Sequence, residues 1–218
     1  MVNPIKQYYT IQEARKFADY VVVIVHGGHE HYQLPSPRMQ ETYRFFIDAG
    51  ADAVINHHQH CFSGYESYRD KIIIYGLGNF LFESLFSQRK SWLEGYFVVL
   101  EFEDNINFEI HPYMQCASNN MGIELLPSDS FNKRIQEMNA IIADPSKLED
   151  MANRYYAECE GAINCFLEPM LNRLYLALRN RKLLPSFISK KRKLIAEDFV
   201  CCESHRDKLM WYLTKQER

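Results

Sequence analysis

The N-terminal half of the chain alternates short apolar runs with one amphipathic stretch. The continuous apolar run at residues 20–25 is rich in β-branched side chains and predicts a strand buried on both faces of a parallel sheet. Ser36 and Pro37 then supply a helix cap and a first helical residue, and helical spacing of apolar positions continues until Gly50. A second buried strand is predicted at 51–55. These elements predict a strand, helix, strand unit whose crossover is right-handed and parallel.

The pattern then changes twice along the chain. Residues 72–75 predict a third strand, and residues 96–102 and 106–110 predict an antiparallel hairpin at a sheet edge. Helical periodicity follows at 131–142 and again at 167–178. The predicted fold class is therefore α/β, with α+β character at the sheet edge and an all-helical C-terminal region.

The composition limits the class of protein. The chain has 218 residues, of which 47% are hydrophobic and 14% aromatic, so it is expected to be globular rather than disordered or fibrous. No apolar run reaches the roughly 20 residues of a membrane-spanning helix, and the first residues lack the pattern of a secretion signal. Six cysteines without a Cys-x-x-Cys pair are typical of thiols in a reducing compartment. We therefore expect a cytoplasmic protein.

Charge is divided unevenly along the chain. Residues 1–145 contain 11 basic and 18 acidic side chains, whereas residues 146–218 contain 14 and 10. This shift predicts a boundary between an acidic domain at 1–145 and a helical region at 146–218. A basic run in the second region predicts a solvated helix face, with contact to anionic lipid or a polyanionic polymer as the alternative. The run comprises Arg179, Arg181, Lys182, Lys190, Lys191, Arg192 and Lys193. Nucleic-acid binding is not expected, because the first domain is acidic and has no recognition motif.

Six of the eight histidines fall in two short clusters. They are His26, His29 and His31 in the first cluster and His57, His58 and His60 in the second. Each cluster follows a predicted parallel strand, and ligands of open α/β sheets bind beyond the carboxyl ends of such strands. The clusters are therefore expected to meet and to form a metal centre. The alternative is a set of exposed loop histidines without a function.

Nucleophilic catalysis has weaker support in the sequence. Ser63, Ser84 and Ser87 lack the Gly-x-Ser-x-Gly setting of a hydrolase nucleophile. Cys61 beside His60 is one candidate thiolate, but no residue is identified that would orient the pair.

Several ordered motifs resemble the CapA family of bacterial capsule and poly-gamma-glutamate synthesis proteins, which is similar in fold to calcineurin-like metallophosphoesterases. The resemblance covers roughly residues 10–105. It is carried by His26, Gly28 and Glu30, by Pro37 and Gln40, by residues 50–55, by Asn56-His57-His58-Gln59-His60 and by Tyr75-Gly76-Leu77-Gly78-Asn79-Phe80. The sequence departs from the family pattern at Gly27, His31, Asn56 and Gln59.

The resemblance implies roles for particular side chains. It implies His26, His58 and His60 as metal ligands, His60 and Glu30 as catalytic groups, and Asn79 and His57 as substrate-binding groups. For Asn79 a structural turn is the alternative. For Glu30 the alternative is to orient the second nitrogen of a histidine ligand. The implied cofactors are divalent metal ions, with Mn, Zn and Fe as the candidates. Metal-activated water would then act on a phosphoester or a related anionic group.

The resemblance also implies a biological role and its alternative. The role is a metal-dependent hydrolase of capsule polysaccharide or poly-gamma-glutamate biosynthesis that acts on an anionic substrate or polymer. The alternative is a noncatalytic accessory or scaffold subunit. Because the resemblance begins midway through the family's usual domain, the expected site is incomplete and weak in metal affinity. A homo-oligomer or a complementing N-terminal fragment is the corresponding expectation for partners.

Overall fold

The computed structural model describes residues 3–82, 90–103, 106–116, 122–159 and 189–215, together with Leu178 and Leu183. These residues form an α/β fold with two sheets and helical C-terminal segments. In chain order the elements are α1 (Pro4–Ala14), β1 (Val22–His26), α2 (Pro37–Asp48), β2 (Ala53–His57), β3 (Tyr65–Tyr68), β4 (Lys71–Ile74), α3 (Lys90–Leu93), β5 (Glu94–Phe102), β6 (Ile106–Gln115), β7 (Ile123–Leu125), α4 (Ser128–Ile142), α5 (Pro145–Glu158), α6 (Lys190–Cys201) and α7 (Glu203–Thr214). The predicted helix at 167–178 lies outside the described residues, except for Leu178.

The first sheet has the strand order β1-β2-β4-β3. Strands β1, β2 and β4 are parallel, and β3 pairs with β4 in the antiparallel direction. The register of β1 and β2 runs from Val22 opposite Ala53 to His26 opposite His57. The predicted parallel strand, helix, strand unit is thus confirmed, and it places the last residues of β1 and β2 side by side.

The prediction that both of these strands are buried on two faces is correct for β2 and wrong for β1. Ala53 and Val54 of β2 are 0% exposed, whereas Ile24 of β1 is 71% exposed. The reason is the strand order, because β1 is the edge strand of this sheet and pairs with β2 alone among the described strands. A β-branched run specifies a strand, but its neighbours in the sheet determine its burial.

Helix α2 begins and ends where its capping residues predict. The Ser36 hydroxyl accepts a hydrogen bond from the Met39 backbone N–H at 3.2 Å, and Pro37 is the first helical residue. Gly50 follows the helix with φ of 107°, a left-handed conformation that favours glycine. The apolar face buries Met39, Tyr43, Phe46 and Ile47.

The second sheet has the order β5-β6-β7, and all its pairs are antiparallel. The predicted hairpin is confirmed, with Val98 opposite Ile110. Its predicted place at the edge of the first sheet is wrong, because β5 and β6 pair with each other and β6 with β7 in a separate sheet. Helix α4 contributes Phe131 to a core that includes Phe62 and Tyr96. Each fully buried side chain of this size contributes about 1.5–3 kcal/mol to folding, so this cluster stabilises the region that supports β2 and β4.

A buried carboxylate joins the amino ends of the three parallel strands. Asp52, just before β2, accepts hydrogen bonds from the Val21 backbone N–H at 2.8 Å, from Lys71 Nζ at 2.8 Å and from Arg15 Nη2 at 3.0 Å. Burial by itself would raise the pKa of Asp52, but the Lys71 and Val21 hydrogen bonds and the Arg15 charge together lower it. We call this arrangement the Asp52 clamp.

The described residues divide into two compact units, residues 2–152 and 153–218. Helix α5 begins at Pro145, next to the boundary that the charge pattern predicts, and that boundary stays a prediction.

Lys190, Lys191 and Lys193 of the basic run are exposed at the start of α6. Arg192 of the same run is partly buried, and the remaining members Arg179, Arg181 and Lys182 lie outside the described residues. No described helix has both the length and the apolar character that crossing a membrane requires.

Candidate metal centre

The two histidine clusters meet at the carboxyl ends of β1 and β2. The ring centroids of His26 and His58 lie 4.8 Å apart, with an interplanar angle of 54°. The rings of His58 and His60 lie 6.0 Å apart. The prediction that these clusters share one place in the fold is therefore confirmed.

Three side chains at this place, two histidines and one glutamate, form a group that could hold a metal ion. Glu30, His58 and His60 each offer one ligand atom, and these atoms all lie within 4.8 Å of one another. Glu30 Oε1 is 3.8 Å from His58 Nε2. Two imidazoles and one carboxylate suit Zn²⁺, Mn²⁺ or Fe²⁺. The residues present therefore fit a divalent ion, and the Glu30 carboxylate is itself one of the possible ligands. We call these three residues the Glu30 group.

Two predicted site residues lie beside the Glu30 group rather than in it. The ring of His26 contacts that of His58, but His26 is outside the three described donors. His57 ends β2 opposite His26 and is exposed. Desolvation of the ring, and to a smaller extent the neighbouring His26 imidazole, lowers the pKa of His57. The lower pKa favours the neutral ring. Metal binding by His26 and substrate binding by His57 stay predictions.

Asn79 holds His60 in place. Its Oδ1 lies 2.8 Å from His60 Nδ1, and its Nδ2 donates to the backbone carbonyls of His60 and Trp92 at 3.2 Å each. The Trp92 ring also stacks on the His60 ring, with centroids 4.9 Å apart and an interplanar angle of 19°. If Asn79 Oδ1 accepts the Nδ1 proton, Nε2 of His60 is left to bind an ion. The buried amide of Asn79 is used for positioning, and its predicted role in substrate binding stays a prediction.

The backbone of the loops is left-handed at three histidines. The φ angles are 61° at His31, 95° at His58 and 55° at His60. Such values are uncommon for residues other than glycine and store conformational energy. Backbone hydrogen bonds between the loops hold them, because His31 N–H donates to the Gln59 carbonyl at 2.7 Å and Gly27 N–H donates to the His57 carbonyl at 3.2 Å.

Asn56 connects the carboxyl ends of three strands through its side-chain hydrogen bonds. Its Nδ2 donates to the Gly27 carbonyl at 2.9 Å and to the Tyr75 carbonyl at 2.8 Å. Its Oδ1 accepts from the Gly27 N–H at 3.2 Å and from the Tyr43 hydroxyl at 2.7 Å. Asn56 is 0% exposed, so this fully bonded amide fixes the loops that follow β1, β2 and β4.

Gln59 is a second buried amide in the loops. Its Nε2 donates to the Tyr32 carbonyl at 2.9 Å. Glycines make room for this side chain: a Cβ on Gly28 would lie 3.2 Å from Gln59 Cγ, and a Cβ on Gly76 would overlap Gln59 Oε1. Sequence reasoning missed the supporting roles of Asn56 and Gln59. Their departure from the family pattern was the available signal.

The thiolate alternative at Cys61 is wrong. The Cys61 side chain is 1% exposed, and burial raises its pKa to about 12. The thiol is therefore protonated near neutral pH and is a poor nucleophile. Of the serines, Ser63 is fully buried, and Ser84 and Ser87 lie outside the described residues.

Comparison with known proteins agrees with the resemblance seen in the motifs. Residues 5–84 match the family described as "Bacterial capsule synthesis protein PGA_cap". The chain is 41% identical over 73 residues to a capsule biosynthesis protein CapA of Bacillus anthracis, and 44% identical over 73 residues to a PGA biosynthesis protein CapA of Bacillus subtilis (strain 168). Each alignment covers 34% of this chain, and they cover 18% and 19% of the two relatives. The resemblance is confirmed over a segment that contains the Glu30 group.

Proposed function

We propose that the Glu30 group is the metal site of a hydrolase-like protein of capsule polysaccharide or poly-gamma-glutamate biosynthesis. The observation that carries the proposal is the convergence of Glu30, His58 and His60 within 4.8 Å, inside the segment that matches the capsule synthesis family. The names of the relatives from Bacillus anthracis and Bacillus subtilis support the biosynthetic role.

The proposed site has defined roles for its residues. A divalent ion, when bound, supplies the Lewis acidity that activates water toward a phosphoester or related anionic substrate. His58 and His60 hold the ion, and Asn79 and Trp92 fix the ring of His60. Glu30 is 56% exposed in its side chain, so it can act as a ligand or exchange a proton with solvent.

A noncatalytic accessory subunit is the second candidate. It is favoured by the donor count, because the Glu30 group contains a single carboxylate, whereas a pair of bridged ions usually needs several. With so few donors we expect weak metal affinity. The two candidates make the same prediction for metal binding and differ in catalysis.

The test is a metal titration of the full 218-residue chain, followed by an assay of phosphodiester hydrolysis with bis(p-nitrophenyl) phosphate. Zn²⁺ and Mn²⁺ are added separately, and the His58→Ala/His60→Ala double variant is compared with its parent chain. Every chain in this test carries Cys202→Ser, which removes the thiolate from a separate group of possible metal ligands, Asp198, Cys202 and His205. His111→Ala is a matched control, since His111 pairs with one carboxylate, Glu109, at 3.4 Å. We expect one weakly bound equivalent that the double variant loses and the control keeps.

The outcomes separate the candidates. Metal-dependent hydrolysis that disappears in the double variant supports the hydrolase. Metal binding at the same residues without hydrolysis supports the accessory subunit. Metal binding that does not depend on His58 and His60 contradicts both. Two tightly held equivalents that both depend on these histidines would refute the expectation of an incomplete, weak site.

A further inference from the structure

The C-terminal unit contains a second group of side chains that could hold a metal ion. This group is independent of the proposed function. Asp198 of α6, Cys202 between α6 and α7, and His205 of α7 each offer one ligand atom, and the three atoms lie within 4.8 Å of one another. We propose that these residues form a Zn²⁺ site that joins the two helices at their junction.

The break between the helices creates this arrangement. Cys202 is both the residue after α6 and the residue before α7, and its ψ of 119° is not helical. Its backbone N–H donates to the Asp198 carbonyl at 2.8 Å, and its carbonyl accepts from the Arg206 N–H at 2.9 Å. The chain therefore turns at Cys202 while staying bonded to both helices. This turn brings residues four before and three after the cysteine to the same place.

Two of the three side chains already lie close together. His205 Nδ1 lies 2.6 Å from Asp198 Oδ2, and the His205 ring stacks on Phe199 with centroids 5.2 Å apart. The Cys202 sulfur lies 3.3 Å from the Ser204 hydroxyl. Cys202 and His205 are partly buried, so their positions are restrained by packing. An ion would need small side-chain rotations to draw the donors to bonds of about 2.0–2.3 Å.

The donor chemistry selects the ion. A thiolate, an imidazole and a carboxylate provide one sulfur, one nitrogen and one oxygen, a set that suits tetrahedral Zn²⁺. The soft sulfur ligand disfavours Mg²⁺, Ca²⁺ and Mn²⁺, which prefer oxygen. The Glu30 group lacks sulfur, so the two sites can be told apart by spectroscopy. Three protein ligands leave a fourth position for water or another donor.

The test uses Co²⁺ as a spectroscopic substitute for Zn²⁺ in the reduced full-length chain. The His58→Ala/His60→Ala background removes the Glu30 group, so its failure as a site does not affect this result. We expect one equivalent of Co²⁺ with a thiolate-to-metal charge-transfer absorption band, which Zn²⁺ then displaces. The Cys202→Ser substitution should abolish the band, and His205→Gln should weaken binding by about tenfold or more.

Cys201→Ser is the matched control, because Cys201 is adjacent in sequence, exposed and outside the group. It should retain the band. The proposal is overturned if the reduced chain shows no band, if Cys202→Ser retains it, or if Cys201→Ser abolishes it. Helical circular dichroism verifies that each variant is folded. If Cys202→Ser does not fold, Asp198→Asn decides the question, since unchanged Co²⁺ affinity in that variant would also overturn the proposal.

Discussion

The two ends of the parallel strands use polar residues in opposite ways. At the amino ends, Asp52 is 2% exposed and its oxygens are bonded to Val21, Arg15 and Lys71. At the carboxyl ends, His58 and His60 lie on left-handed backbone, and their ligand atoms approach that of Glu30. The amino end satisfies its charges internally, whereas the carboxyl end directs donors to a common point. Polar side chains at the end of a sheet therefore indicate a binding site where their ligand atoms converge on one point.

The largest expected effect separates binding from stability at the carboxyl end. All Zn²⁺ affinities are compared in the Cys202→Ser background, which removes the thiolate of the second donor group. In that background the His58→Ala/His60→Ala double variant should lose about 100-fold or more in Zn²⁺ affinity, since loss of direct ligands should cost more than the 10–100-fold that loss of an outer hydrogen-bonding partner costs. Its free energy of unfolding without metal should change by less than about 1 kcal/mol, because the rings are partly exposed. Chelator competition and urea unfolding measure the two quantities. A similar loss of Zn²⁺ affinity in Asp52→Ala would break the comparison.

The amino end should respond in the opposite way. Asp52→Ala should lower the free energy of unfolding by about 2 kcal/mol, because it removes a buried carboxylate while Arg15 and Lys71 regain some hydration. Zn²⁺ affinity should stay within twofold of that of the parent chain in the same background. Asp48→Ala is the control, since Asp48 also pairs with an arginine, Arg69 at 3.1 Å, but is exposed. A surface pair contributes about 0–1 kcal/mol, so equal destabilisation by both variants would refute the role of the clamp.

A smaller effect tests how the carboxyl end is supported. Asn79→Ala should weaken Zn²⁺ binding about tenfold, because the His60 ring loses the partner that orients its Nδ1. Asn107→Ala, at an exposed position of β6, should leave the Zn²⁺ affinity unchanged. Isothermal titration of both variants measures the difference. Equal affinities would show that stacking on Trp92 alone positions His60.

The smallest effect concerns acid stability. The pKa of Asp52 in the folded chain lies below its ordinary value of 3.8, so its contribution to stability is present above that pH. It declines as the pH falls through the lower folded value, because the unfolded chain takes up the proton first. The difference in unfolding free energy between wild type and Asp52→Ala should therefore shrink between about pH 5 and pH 2. A difference that grows on acidification would contradict the assigned direction.

Elements with a clear hydrophobic period could be predicted from the sequence. The strand, helix, strand unit, the β5–β6 hairpin and α4 follow from local patterns that neighbouring residues share. Strand β3 was missed because its sequence Tyr-Glu-Ser-Tyr lacks an apolar alternation, and its glutamate is bonded to Arg44. Helix α1 was missed although Asn3 caps it and Pro4 begins it. The exposure of β1 depends on the order of strands, which a local pattern does not contain.

The candidate metal centre also combines features that the sequence predicts with features that depend on the path of the chain. Adjacent parallel strands predicted that the histidine clusters meet, and they do. The partners of Asn56 and Asn79 were not predictable, because they lie 13 to 29 residues away and depend on the path of each loop. The membership of Glu30 in the donor group likewise depends on the turn after β1. Chemistry and strand order identify the place, and loop conformation decides which atoms meet.

The left-handed backbone at His58 and His60 limits how this donor set could be transferred to another protein. β-Branched residues are strained at such φ values, so most sequences could not follow this loop path. Copying these three side chains onto an ordinary turn would direct their ligand atoms elsewhere. A graft would have to include the buried amides of Asn56 and Gln59 and the glycines that accommodate Gln59. The smallest transferable unit is therefore the set of loops after three strands.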